Sequence, residues 1–170
     1  MIKHNYIKIF FKQKFTAGFS LVEVLVSVFI FTVILSILIG ANNLYLSGAD
    51  ANLKLTKATY LAEEGIEALK IIRDTSWTDF YNIPADYDHL YFSYESASST
   101  WKATTTDIKI DSFSRSFILS DVYRDSNNII VQNGGTVDPN TKEATVSISW
   151  IKRNGESITK SMSAYIANII

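Results

Sequence analysis

Phe19 to Ile39 runs for twenty-one residues with one charged side chain, Glu23. A helix of about 20 apolar residues is what the hydrocarbon core of a bilayer requires. A carboxylate at the centre of such a helix costs about 2.5–3.5 kcal/mol on insertion scales. Glu23 stands four residues after the first phenylalanine of the run. An anchor gains nothing from that charge, so the glutamate requires a partner.

The charge around the run is uneven. Residues 1–18 carry Lys3, Lys8, Lys12 and Lys14 and no acid, leaving 12 basic against 17 acidic residues in the remainder. A mildly acidic body argues against nucleic-acid binding through phosphate neutralisation. The chain has no cysteine, which excludes disulfides, zinc thiolates and cysteine nucleophiles. Three readings of the N-terminus are open. A secretory signal is cut after an apolar region of 7–15 residues, behind small residues spaced like A-x-A. Ile39-Gly40-Ala41 fits that pattern poorly. A plain signal anchor fits the length and the positive-inside bias but leaves Glu23 unexplained. The third reading cuts before the run, between Gly18 and Phe19, and keeps the helix.

Gly18-Phe19-Ser20-Leu21-Val22-Glu23, behind a basic leader and ahead of the apolar run, resembles the processing site of type IV pilins and type II secretion pseudopilins. The resemblance implies that a prepilin peptidase removes residues 1–18 at the cytoplasmic face and that Phe19 becomes the N-methylated mature terminus. It assigns Glu23 to filament assembly. The chemistry is consistent: a carboxylate in the first helical turn is favoured by the helix dipole, and it can neutralise the terminal amine of an adjacent subunit where either charge alone is costly. Many pilins kink at a proline some twenty residues into the mature helix. Here that place holds Gly40, and the prolines are Pro84 and Pro139. Glycine weakens a helix by about 1 kcal/mol relative to alanine, so Gly40 is expected to act as a softer hinge.

The helical period continues beyond Gly40. Ala58, Ala62, Gly65, Leu69 and Ile72 form an apolar stripe with Leu61, Ile66 and Ala68 beside it, while Glu63, Glu64, Glu67, Lys70 and Arg73 take the wet side. Gly65 on that stripe permits close approach of a sheet or is merely tolerated. The segment Leu61–Leu69 also resembles a recurring stretch of minor pilins.

Residues 75–170 read as β-rich. The pattern predicts strands at His89–Glu95, Phe113–Tyr123, Ile129–Gln132, Glu143–Lys152 and Glu156–Ala167. A two-residue Asn154-Gly155 turn between the last two would mix their faces. A three-residue loop, Arg153-Asn154-Gly155, sets Trp150 opposite Ile158 and Val146 opposite Met162, and a one-residue slip would reverse every side chain. That register leaves Lys160 opposite Ile148. Ser96–Thr100 and Thr104–Thr106 read as exposed loop around Trp101, and Asn133–Thr141 as another, broken by Gly134-Gly135 and Asp138-Pro139.

Enzymatic chemistry finds little here. The histidines are His4, in the leader, and His89, so no Ser-His-Asp triad or histidine metal cluster assembles. Gly134-Gly135 lacks the lysine of a phosphate loop. Asp86-Tyr87-Asp88 and Asp138-Pro139-Asn140 offer oxygens to calcium without an EF-hand's spacing. Phe80, Tyr81, Tyr87, Tyr91, Phe92 and Tyr94 lack the interleaved basic residues of a nucleic-acid platform and read as core and rim.

The expected fold is α+β: a long N-terminal helix, membrane-spanning then amphipathic, packed on an antiparallel β-sheet head. The expected parts are a leader at 1–18, a helix at 19–74 and a head at 75–170. The resemblance implies a non-enzymatic, structural and minor subunit of a type IV pilus, without catalytic residues, metal or cofactor. Its partners are the prepilin peptidase, other pilin subunits, the inner-membrane assembly machinery and, before assembly, lipid; no nucleic acid is expected. It places the protein in the cytoplasmic membrane with its C-terminal domain outside, then in a filament. A type II secretion pseudopilin is the alternative within the class. A single-pass anchored enzyme or binding domain is the alternative outside it.

Overall fold

The computed structural model describes residues 18, 20–84 and 89–169. Contacts divide the chain after Gly48 into two units. The expected α+β architecture is found. A long helix α1 (Leu21–Thr75) and a short helix α2 (Trp77–Tyr81) precede β1 (Leu90–Glu95), β2 (Thr100–Thr104) and β3 (Ser114–Arg124). The remaining strands are β4 (Ile130–Val131), β5 (Thr136–Ile151) and β6 (Ser157–Ala167). Gly40 lies within α1, exposed, with nothing within 4 Å of where a Cβ would stand.

In the second unit the described residues form a six-stranded antiparallel sheet in the order β2-β1-β3-β5-β6, with β4 paired to β3. The later part of α1 covers one face. Its buried residues are Ala58, Leu61, Ala62, Gly65, Ile66, Ala68 and Leu69, the stripe predicted by the 3.6-residue period; Ile72 is partly buried against the same core. Helix and sheet meet closely at Gly65. A Cβ there would lie 2.8 Å from Val146 Cγ1 and 3.4 Å from Phe92 Cζ, so the glycine is a packing requirement. Opposite the helix stand Phe117, Leu119, Val146 and Ile148, all at most 2% exposed. Each such side chain contributes about 1.5–3 kcal/mol on burial.

The β5–β6 hairpin has the predicted three-residue loop. Trp150 pairs with Ile158, Val146 with Met162 and Ile148 with Lys160. Lys152 N–H donates to Glu156 O, Gly155 N–H donates to Lys152 O, and Gly155 takes φ +85°, which only glycine adopts without cost. Lys160 shares its register position with buried Ile148 but is itself exposed on the edge strand, where a charge opposes edge-to-edge pairing.

Three expectations are corrected. Thr100–Thr104 is a strand, paired with β1 through Tyr94–Trp101 and Phe92–Ala103. Trp101 is held edge-on to Phe92 at 6.2 Å, and this anchors a segment whose Ser and Thr residues read as loop. Second, the expected loop at Asn133–Thr141 is largely β5. It tolerates Pro139 because the ladder jumps from Asp121–Lys142 to Tyr123–Val137, an irregularity where a missing N–H costs no pair. Third, the expected β-rich region opens with a helical turn, α2. Ser76 caps it by accepting the Asp79 N–H at 3.2 Å.

Candidate functional site: the N-terminal helix

The first unit holds the residues singled out by the sequence. Gly18 and Ser20 are exposed, and Phe19 lies outside the described residues, as does the leader before Gly18. Helical bonding starts at Ser20, whose carbonyl accepts the Val24 N–H at 3.1 Å. Glu23 is therefore in the first turn of α1, where the helix dipole favours an anion.

From Leu21 onward this part of α1 exposes its apolar side chains on every side. Leu21 is 77% exposed, Phe29 68% and Ile39 63%. The helix is long and apolar enough to cross a membrane, and none of its apolar window is buried in the protein. Between Leu21 and Ile39 the hydroxyls are satisfied within the helix. Ser27 Oγ donates to Glu23 O, Thr32 Oγ1 to Phe29 O and Ser36 Oγ to Thr32 O, each at 2.8 Å. Such back-bonding lets hydroxyls enter an apolar medium without leaving a donor unpaired. The Glu23 carboxylate is the exception: it has no partner among the described residues.

Residues 14–39 match the family model for the prokaryotic N-terminal methylation motif. The chain carries a prepilin signal. The match brackets Gly18, Phe19 and Glu23 together with the apolar run, and supports a type IV pilin-like or pseudopilin-like prepilin. No curated protein and no solved structure matches the chain.

The head supplies a polar feature that the sequence did not single out. Arg115 is 4% exposed, and its Nη1 lies 3.1 Å from Glu64 Oε2 and donates to Leu61 O at 3.4 Å. The guanidinium stands over Phe92 at 4.9 Å and Trp101 at 5.1 Å. Burial pushes its pKa down, and the charge and hydrogen bond of Glu64 oppose that. Arg115 Nε has no hydrogen-bond partner among the described residues; the two ring faces stabilise the cation in its place. The signal was present in the alternation Phe113, Arg115, Phe117, Leu119, which puts the arginine on the core phase of β3.

The other candidates stand apart from these groups. Asp138 Oδ2 accepts from Arg124 Nε at 2.7 Å and Oδ1 from Asn140 N–H at 2.9 Å. These bonds hold its carboxyl below the usual range, the Arg124 hydrogen bond most of all. Asp86, Tyr87 and Asp88 lie outside the described residues, and so does His4. His89 is exposed just ahead of β1. Phe80 and Phe92 are buried, whereas Tyr94 is 53% exposed.

Proposed function

We propose that this protein is a membrane-inserted prepilin that matures by cleavage between Gly18 and Phe19 and becomes a structural, minor subunit of a type IV pilus or related filament. The observation that carries this reading is the methylation motif lying on an apolar helix that no described residue covers, with Glu23 unpaired among the described residues in its first turn. The basic leader stays in the cytoplasm, and the part from residue 75 onward is exported. The helix at 19–74 leaves the bilayer to bundle with other copies. Prepilin peptidase and the inner-membrane assembly machinery act on it in turn. Glu23 pairs with the methylated Phe19 amine of a neighbour. Gly40 gives the helix a point of lower cost for bending during that transfer. The Leu61–Leu69 segment, which supports the minor-pilin reading, faces the sheet and is needed for head packing.

Gly18 offers the first test. Replacing it with tryptophan is expected to leave full-length precursor in the membrane fraction, read as a heavier band and an intact leader by mass spectrometry. Normal maturation of that variant would refute the junction.

A further inference from the structure

The strand registers gather several turns at one end of the head. Ser114, at the start of β3, pairs with Ser149, and Ile151 pairs with Ser157. Tyr91 pairs with Ser116 and Glu95 with Thr100, so the β1–β2 turn stands at the same end as the β5–β6 turn. Lys57 of α1 pairs there with Asp111, just ahead of β3. From Ser114, β3 runs to Arg124, about 33 Å at 3.3 Å per residue, and reaches the β3–β4 turn at the other end. The second unit begins at Ala49, a short way before Lys57. The Lys57 end is therefore the one that the chain enters from the apolar run.

The two ends differ in charge. At the Lys57 end, Lys57, Lys102 and Lys152 are neutralised by Asp111, Glu95 and Glu156. Lys109 and Arg153 have no ion partner among the described residues. Neither has Lys160, whose register through Ile148 sets it level with Arg115. Against them stands Asp107, whose Oδ1 accepts from Ser114 Oγ at 2.8 Å. Ile151 is 66% exposed and Ile108 47%, and Lys109, Ser112 and Ile151 line one recess. Apolar and basic groups thus stand together. At the other end Arg73, Arg124 and Lys142 are each held by an acid, while Asp125 and Glu143 have no cation partner among the described residues. One end presents spare cations beside isoleucine; the other presents spare carboxylates.

We propose that the Lys57 end of the head rests on an anionic bilayer surface while the protein is membrane-inserted. Lys109 and Arg153 meet lipid phosphates, and Ile108 and Ile151 enter the headgroup layer. Each cation near such a surface favours contact by roughly fivefold, and apolar side chains buried at headgroup level add to it. The spare carboxylates turn the opposite end away from the same surface. The link from Ile39 to Ala49 is about 15 Å long as a helix. Its Leu44 and Tyr45 are 77% and 75% exposed, and such side chains settle in the interfacial layer, which keeps the head within reach of lipid. This contact presupposes the membrane-inserted reading and adds to it a resting place for the head, given up when the helix leaves the bilayer.

The natural absence of cysteine makes the test clean. Ser112 and Ser126 are both exposed, the first at the Lys57 end and the second in the β3–β4 turn. Full-length protein carrying Ser112→Cys or Ser126→Cys is labelled with a fluorophore and reconstituted into vesicles that contain a headgroup spin-labelled quencher lipid. The vesicles are phosphatidylcholine alone or phosphatidylcholine with phosphatidylglycerol. With phosphatidylglycerol the label at position 112 is expected to be quenched at least several-fold more than the label at 126, and high salt should erase the difference. Adding Lys109→Gln and Arg153→Gln should lower the ratio of docked to free heads about 25-fold, roughly fivefold per cation. Equal quenching at the two positions, or quenching at 112 that ignores phosphatidylglycerol and salt, overturns the contact. Flotation of the protein with the vesicles reports separately on helix insertion: a protein that floats without selective quenching loses only the lipid contact, whereas one that fails to float loses both.

Discussion

Glu23→Leu is expected to insert and mature like the parent yet fall about a hundredfold in the sheared filament fraction relative to the membrane fraction. The substitution makes the helix more apolar, so insertion is not impaired. What it removes is the countercharge for a neighbour's terminal amine in a medium that solvates neither group. Leaving one member of a buried pair alone costs about 3–5 kcal/mol, and each 1.4 kcal/mol is tenfold. Glu23→Gln separates charge from shape: it keeps the size and a hydrogen-bonding end while losing the charge, and should fall close to the leucine variant. Equal incorporation of Glu23→Leu would mean that the carboxylate merely reaches the membrane surface, where a first-turn side chain meets water.

Gly65→Leu is expected to destabilise the head by about 3 kcal/mol, at the upper end of overpacking costs, read as a lowered denaturant midpoint for the full chain in detergent. The first atom of the new side chain already falls 2.8 Å from Val146 Cγ1. Val146 is completely buried on β5, between β3 and β6, and has nowhere to retreat. The helix must lift away, which exposes Leu61, Ile66 and Leu69. Gly65→Ala tests the same contact more gently, because about 1 kcal/mol of helix propensity offsets part of the clash. Gly48 provides the control, since a Cβ there meets nothing within 4 Å; Gly48→Ala should be neutral or slightly stabilising. A leucine variant as stable as its parent would mean that helix and sheet are not held in close approach at Gly65.

The features legible in the sequence are those that a period or a strong local motif determines. The α1 stripe could be read because burial follows every third or fourth residue from Ala58 to Leu69. The β5–β6 register could be read because one loop length alone brings Trp150 to Ile158 and Val146 to Met162. Three elements were hidden because tertiary context decides them. Trp101 turns a Ser/Thr-rich segment into an edge strand by packing on Phe92. Pro139 remains within β5 because β3 shifts register beside it. The capping pattern Ser76-x-x-Asp79 was available but brief, and it sets a helix of only five residues. Arg115 is not legible in the sequence because a charged residue on a core phase is explained only when its partners, Glu64 and the two rings, arrive from other elements. The N-terminal motif lay at the opposite extreme. Glycine, phenylalanine, a glutamate four residues on and a long apolar run are contiguous, so no folding step is needed to bring them together.

Assembly through Glu23 requires the apolar helix to survive maturation with Phe19 as its first residue. Intact-mass measurement of the protein extracted from native membranes, with Edman sequencing of the same sample, tests this most directly. The predicted product lacks residues 1–18, carries one added methyl group and gives N-methylphenylalanine, the residue of Phe19, in the first cycle. A full-length chain, or one cut beyond Ile39, would contradict the account and leave an ordinary anchored or secreted protein.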